Sequence, residues 1–240
     1  MTTDDRIRNI VRLEGVTKDY GEGDVVVHAL RGVDLVMRAG EFAAMAGPSG
    51  SGKSTLLNII GGLDRPTAGS VQVNGLTLNT LSGAALAKLR RERIGFIFQS
   101  YNLVPTLTAE ENAEYVLLLQ GVADAERRER VYAILRDVGL SGLERRFPRE
   151  LSGGQQQRVA IARAIVSEPS LVLADEPTAN VDSVTADALL DLMHSLHHKK
   201  GITFLFSTHD PRVMRRAERL LKLRDGRIVE DVQQPGSVTE

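Results

Sequence analysis

Short apolar runs broken by Gly-containing turns occupy the first part of the chain: Ile10 to Val16, Val25 to Leu30, Val33 to Met37 and Glu41 to Ala46, with Ser70 to Asn74 further on. Runs of this length predict strands, and their succession predicts an antiparallel sheet packed beside a core. The pattern then changes. Leu56 to Leu63 reads as a helix after a Gly-rich loop, Ile94 to Gln99 as a strand, and Ala109 to Leu119 and Asp124 to Val138 as helices. The last of these carries Val131, Ile134, Leu135 and Val138 on one face, with Gly139 suited to its C-cap. Ser152 can cap a helix through Gln155 to Val166 that Pro169 prevents from continuing, so about Ser100 to Leu151 reads as a helical lobe inserted into the core. Leu171 to Ala174 and Ile202 to Ser207 are wholly apolar strands joined by the amphipathic segment Val184 to His198. Apolar strands linked through a helix predict a parallel sheet covered on both faces.

Composition bounds the possibilities. Of 240 residues, 42% are hydrophobic and 25% charged, enough for a sizeable core in one domain with a lobe. The net charge of -1 provides no global field for nucleic acid or an anionic membrane. With no cysteine, disulfides, thiol catalysis and cysteine-ligated metals are excluded. Met1 to Arg8 is polar, and no stretch approaches the roughly 20 apolar residues a membrane helix needs, so membrane contact is expected only through another protein. The tail from Pro235 to Glu240 is expected to be loose.

Three motifs carry chemistry. Gly47-Pro48-Ser49-Gly50-Ser51-Gly52-Lys53-Ser54-Thr55 fits G-x-x-x-x-G-K-[ST] between a predicted strand and a predicted helix. Such a loop turns backbone N–H groups and a helix N-terminus toward phosphate oxygens, with Lys53 reaching the β and γ phosphates and Ser54 placed for Mg²⁺. Leu171 to Glu176 puts two carboxylates at the end of a buried strand, Asp175 to hold Mg²⁺ and Glu176 to orient and polarise the attacking water. Leu151-Ser152-Gly153-Gly154-Gln155 at a helix start is a second phosphate-binding arrangement. Two such sites mean either two nucleotides or two halves of one site contributed by different subunits.

The pentapeptide LSGGQ, together with the Gly-rich loop and the Asp-Glu strand end in this order, resembles the signature of ABC ATPases over nearly the whole chain. The resemblance implies an α/β fold: a P-loop NTPase core of the RecA-like kind with an antiparallel β subdomain and an inserted α-helical subdomain. The core would span 1–99 and 156–234, the helical signature subdomain about 100–155, and the loose tail 235–240. It further implies that Gln99 touches Mg²⁺ and the water and senses a partner. Asp182, within Ala179-Asn180-Val181-Asp182, would cross a dimer interface. His209 would contact the γ phosphate from the side opposite Glu176, and Tyr20 would stack on adenine. The implied cofactors are ATP and Mg²⁺. The implied assembly is a head-to-tail dimer with a second copy, each ATP sandwiched between Lys53 and Glu176 of one subunit and Ser152, Gly153, Gly154 and Gln155 of the other.

Leu57 to Asp64, Phe96 to Leu103 and Ala174 to Asn180 look like the macrolide-export and lipoprotein-releasing group of transporter subunits. That likeness implies a cytoplasmic protein, peripheral on the inner membrane, driving separate permease subunits and binding no nucleic acid. Tyr101 to Thr108 is the stretch expected to form the permease-docking groove with the helical lobe. The alternative is a soluble ABC-type ATP switch acting in regulation or on nucleic acid without a permease. Three charge clusters have plainer readings: Lys88 to Arg93 as a solvated helix face, and Arg212, Arg215, Arg216 and Arg219, at near-helical spacing, as a solvated face open to partner contact. His197-His198-Lys199-Lys200 suits the negative end of a helix dipole better than a metal site.

Overall fold

The structure is a computed structural model and describes residues 9–21 and 26–234. Among these residues the strands form two sheets. The first is antiparallel, in the order β2 (Val27–Arg38), β1 (Asn9–Tyr20), β4 (Ala68–Val73), β5 (Leu76–Thr77). The second runs β10 (Arg227–Gln233), β9 (Arg219–Arg224), β3 (Phe42–Ala46), β8 (Thr203–Thr208), β7 (Leu171–Asp175), β6 (Ile94–Ile97). Every pairing in the second sheet is parallel except that of β10 with β9.

β3, β8 and most of β7 are buried at every position, which is why they read as unbroken apolar runs rather than alternating ones. Strand pleating divides their side chains between two cores. Phe42, Ala44, Val172, Ala174, Phe204 and Phe206 face the helical lobe and α6 (Ser183–Lys200). Ala43, Met45, Leu171, Leu173 and Leu205 face the antiparallel sheet and α1 (Lys53–Ile60).

The lobe between β6 and β7 consists of α3 (Ala109–Leu119), α4 (Asp124–Asp137) and the start of α5 (Gly153–Ile165). Local chemistry sets its helix ends. Thr108 and Glu111 form a reciprocal capping box on α3, and Ser152 and Gln155 form another on α5. Each cap satisfies two orphan helix-start amides, an effect of about 1 kcal/mol. α2 (Gly83–Arg93) precedes β6, and α7 (Pro211–Arg216) follows β8.

Several expectations need correction. Val25 to Leu30 and Val33 to Met37 are not two strands: from Val27 the chain is one strand, and Gly32 at φ +78° sits in an irregular register against β1 instead of turning the chain. Val25 itself lies outside the described residues, as do Met1 to Arg8 and the tail Pro235 to Glu240. The helix expected over Leu56 to Leu63 starts earlier, at Lys53, and ends before Gly61. The basic residues after His209 do not share one free solvated face, although Arg215 is exposed on α7. Arg212 pairs with Asp210, and Arg216 with Asp187 and Asp191. Arg219 lies buried in β9, bonded to Glu41 and Asp231.

Candidate functional site: a nucleotide site at the strand ends

In an open parallel sheet, ligands bind beyond the carboxyl ends of the strands. Here four neighbouring strands end in the residues that carry phosphate chemistry. β3 leads into the Gly-rich loop, β8 into His209, β7 into Asp175 and Glu176, and β6 into Gln99.

The loop Gly47 to Gly52 is shaped by close approach. A Cβ on Gly47 would run into the Leu223 carbonyl and the Ser51 hydroxyl, and one on Gly52 would lie 2.6 Å from the Ala29 carbonyl. Gly52 is also the N-cap of α1 at φ +102°, a left-handed conformation that L side chains rarely adopt. No side chain caps α1, so the first-turn N–H groups and the helix dipole are available to an anion. Lys53 Nζ, buried under the loop, donates to the carbonyls of Gly47 at 2.7 Å and Pro48 at 3.1 Å. Those bonds use two of its three donors. Pro48, Ser49, Gly50 and Ser54 are exposed on the loop, and the Ser51 hydroxyl is buried without a partner.

Ser54 Oγ donates to Asp175 Oδ1 at 3.2 Å. A hydroxyl and a carboxylate converging at this distance are a hard-oxygen donor set of the type Mg²⁺ takes. Glu176, next along, holds φ +46°, a strained backbone costing about 1–3 kcal/mol for a non-glycine residue. The turn is fixed by Glu176 N–H donating to Ser207 O at 2.9 Å. Its side chain is 14% exposed; Oε1 lies 2.7 Å from His209 Nδ1, and Oε2 accepts from Thr208 Oγ1 at 3.3 Å. The His209 imidazole, 73% exposed, stands beside Glu176.

Tyr20, at the end of β1, is 41% exposed. Its hydroxyl donates to Asp64 Oδ2 at 2.7 Å and meets Thr55 of the loop helix, and Lys18 Nζ sits 4.7 Å from its ring centroid. Burial and the Asp64 bond raise the Tyr20 hydroxyl above its ordinary pKa, so it stays protonated at neutral pH.

A second cluster forms around the signature. Ser152, exposed, caps α5 and accepts from Gln155 N at 3.3 Å while Gln155 Oε1 accepts from Ser152 N at 2.8 Å. Gly153 packs under the Tyr101 hydroxyl, and a Cβ on Gly154 would lie 2.5 Å from Thr185 Cγ2. Tyr101 Oη donates to Asn180 O at 3.1 Å, and Asn180 Nδ2 donates to Gln99 O at 2.8 Å. The Gln99 side chain is exposed. Asp182, also exposed, is the N-cap of α6, with Oδ1 accepting from Val184 N and Thr185 N at 3.0 Å each. The Thr185 bonds hold its carboxyl below the ordinary pKa.

Lys53, Ser54, Asp175, Glu176 and His209 therefore stand at neighbouring strand ends, while Ser152 to Gln155 belong to a cluster with Tyr101 and Asn180, and Gln99, at the end of β6, adjoins both. β3 and β6 are three strand spacings apart, about 14 Å, and the signature glycines pack against Tyr101, Asn180 and Thr185.

The chain matches the ABC transporter family over residues 30–179. It belongs to that family. The lipoprotein-releasing system ATP-binding protein LolD of Anaeromyxobacter dehalogenans is 52% identical, covering 92% of this chain and 93% of its own length. The macrolide export ATP-binding/permease protein MacB of Hyphomonas neptunium is 47% identical over 92% of this chain, which spans only 34% of that longer protein. Among solved structures, an ATP-binding cassette of Methanocaldococcus jannaschii captured as a dimer in a post-hydrolysis state with ADP and Pi superposes at TM-score 0.87. It is 43% identical and covers 94% of this chain and 99% of its own. The fold is that of an ABC ATPase, and the enzyme is an ATPase.

Some residues of this ABC ATPase were not singled out from sequence. Arg163, mostly buried on α5, donates to Tyr101 O at 2.8 Å and Asn102 O at 2.5 Å and so holds the segment after Gln99, where both residues have positive φ. An arginine amid the apolar residues of α5 was its only signal. The groove beside the lobe, about 360 Å³, is lined by Arg90, Arg91, Phe98, Asn102, Val116 and Leu119 among others. Of the stretch Tyr101 to Thr108 it uses Asn102 alone, because the walls come from α2, α3 and α5. No helix of the described residues is long and apolar enough to cross a membrane.

Proposed function

We propose that this ATPase works as a head-to-tail dimer in which each Mg·ATP is held between the Gly-rich loop of one subunit and the signature of the other, and that the dimer drives a separate membrane permease. The observation that carries this reading is the split of the phosphate-binding groups between two clusters of one chain. Lys53, Ser54, Asp175 and Glu176 sit at the ends of β3 and β7, whereas the capped start of α5 packs against Tyr101, Asn180 and Thr185. A second copy turned by a two-fold axis supplies each cleft with the Ser152 end of α5, and symmetry makes two such sites.

Within each site Lys53 and the loop amides hold the β and γ phosphates, and Tyr20 stacks on adenine. Ser54 and Asp175, with Gln99, would hold Mg²⁺, which would supply positive charge to neutralise the phosphates. Glu176, anchored by Thr208 and His209, orients and polarises the attacking water. Ser152 and the Gly153 and Gly154 amides clamp the γ phosphate from the partner, so hydrolysis removes the contact that joins the subunits.

The groove lined by Phe98, Asn102, Val116 and Leu119 with Arg90 and Arg91 suits an amphipathic permease segment bearing acidic residues. Its floor adjoins Gln99, so seating a partner there is felt at the nucleotide. The resemblance to lipoprotein-releasing and macrolide-export subunits supports export or lipoprotein release on the cytoplasmic face of the inner membrane.

Subunit complementation tests the shared site. Lys53→Ala and Ser152→Arg each abolish hydrolysis alone. Mixed, they form heterodimers with one intact site, and activity returns. Failure to recover activity from a mixture that still associates would refute the head-to-tail arrangement.

A further inference from the structure

We propose that His194, His198 and Glu218 form a binding site for a borderline transition-metal dication of the zinc class, at the end of the core sheet remote from the nucleotide. His194 and His198 are one helical turn apart on α6, and Glu218 immediately precedes β9. Their ligating atoms all lie within 4.8 Å of one another.

The geometry favours a shared ion. The two Nε2 atoms stand 3.1 Å apart, and their rings are nearly perpendicular at 82°. Two imidazole nitrogens each about 2.0–2.1 Å from a tetrahedral zinc would be about 3.3 Å apart, so a small rotation of either ring admits the ion. Two histidines at i and i+4 with one carboxylate leave a fourth position for water.

The framework is rigid on both sides. Glu218 N–H donates to Phe42 O at 2.8 Å, and Glu218 O accepts from Gln234 N at 2.7 Å, which pins its backbone between β3 and the end of β10. His197 is buried and is no ligand. Its Nδ1 donates to Ile202 O at 2.8 Å, and its Nε2 lies 3.8 Å from Glu218 Oε1, beyond hydrogen-bond reach. Phe42 closes the inner side, edge-on to His194 with ring centroids 5.4 Å apart.

Donor type sets selectivity. Two imidazoles favour zinc, nickel or copper over Mg²⁺, whose all-oxygen preference matches Ser54 and Asp175 instead. The site lies at the amino ends of β3 and β8, and the nucleotide groups lie at their carboxyl ends. The six residues of β8 separate the two by about 20 Å. Lys199 and Lys200 are exposed and screened, so they oppose a bound cation weakly. A bound ion would tie the last turns of α6 to the segment between α7 and β9.

Titrating the untagged full-length protein with Zn²⁺ alone, without nucleotide, tests the site. The expected result is saturable binding that raises the thermal midpoint. It weakens at least ~10-fold in His198→Ala and in Glu218→Gln, since losing a ligand costs no less than losing an outer-shell partner, and it is unchanged in His209→Ala. His198 is exposed, so its loss spares the core; circular dichroism checks the fold, and Glu218→Gln carries the test should His198→Ala misfold. Absence of saturable binding, or binding lost in His209→Ala and kept in His198→Ala, would overturn the proposal.

Discussion

The Nδ1 of His209 lies 2.7 Å from Oε1 of Glu176, so the histidine that follows β8 is hydrogen-bonded to the carboxylate that follows β7. An ionised carboxylate only accepts, so Nδ1 carries the proton and Nε2 is left to face outward chemistry. Thr208 and the His209 main chain reach the other carboxylate oxygen at 3.3 and 3.4 Å. Glu176 is thereby held from two sides on a backbone that is itself strained.

Glu176→Gln is expected to keep ATP binding and to lower turnover ~10²–10⁴-fold, the range for a positioned general base. His209→Ala should lose less, because Thr208 still orients the carboxylate. If His209 acts by positioning Glu176, adding His209→Ala to Glu176→Gln lowers kcat no further. Single-turnover kinetics on the four proteins read this directly, and additive losses would give His209 an independent role.

A second link runs from the signature helix to the loop that carries Gln99. Arg163 holds the carbonyls of Tyr101 and Asn102, and Tyr101 reaches Asn180, which holds Gln99. Arg163→Met leaves two carbonyls without their donor at a cost of about 1–3 kcal/mol each. Denaturant unfolding should show that loss. ATPase activity should fall along with it, whereas Tyr101→Phe should spare global stability to within about 1 kcal/mol and alter activity alone. Unchanged activity in both would mean the chain of bonds is structural only.

The elements read most faithfully from sequence are those whose ends are chemically marked. α3 begins after Thr108 because that threonine and Glu111 cap it, and α5 begins after Ser152 for the same reason. The strand ends carrying Asp175 and His209 were legible because a buried strand must be apolar throughout. What escaped depends on contacts between distant segments. Gly32 looks like a turn, yet pairing with β1 keeps the chain extended through it. β9 and β10 are hard to read because Arg219, Lys222, Arg224 and Arg227 mask their alternation, and the charges of Arg219 and Lys222 are answered only once Glu41 and the acids of β10 fold against them. His194 and Glu218 meet only because β8 returns the chain to the end of α6.

Arg219 is the charged residue on which that edge of the sheet rests. Its guanidinium bonds Asp231 through Nε and Nη2 at 2.8 and 2.7 Å, Glu41 at 2.8 Å and the Val36 carbonyl at 2.8 Å. These partners raise its pKa further above an already high value, the Asp231 bond most. Arg219→Met should cost about 2–4 kcal/mol, below the figure for a wholly buried pair because Asp231 stays partly exposed. Thermal unfolding measures it. Adding Glu41→Gln and Asp231→Asn should recover part of the loss by removing the stranded carboxylates.

Asp64 couples acid stability to Tyr20 and the end of β1. Partial burial pushes its carboxyl up, but hydrogen bonds from Lys18 and Tyr20 outweigh that and leave it below the ordinary 3.8. Lys18 Nζ donates to Oδ1 at 2.7 Å and Tyr20 Oη to Oδ2 at 2.7 Å. A carboxyl depressed on folding contributes stability that is fully present above its unfolded pKa, about 3.9, and disappears as the pH falls through its folded value. Asp64→Asn should therefore be less stable than the parent by about 0.5–1 kcal/mol near neutral pH, the scale for a partly exposed pair. The gap should close as the pH falls below the unfolded value and through the lower folded one, where the parent's carboxyl is protonated as well. Parallel melting curves across that range settle the point. A gap that stays constant into acid would mean the destabilisation comes from the amide's packing and not from the charge held by Lys18 and Tyr20.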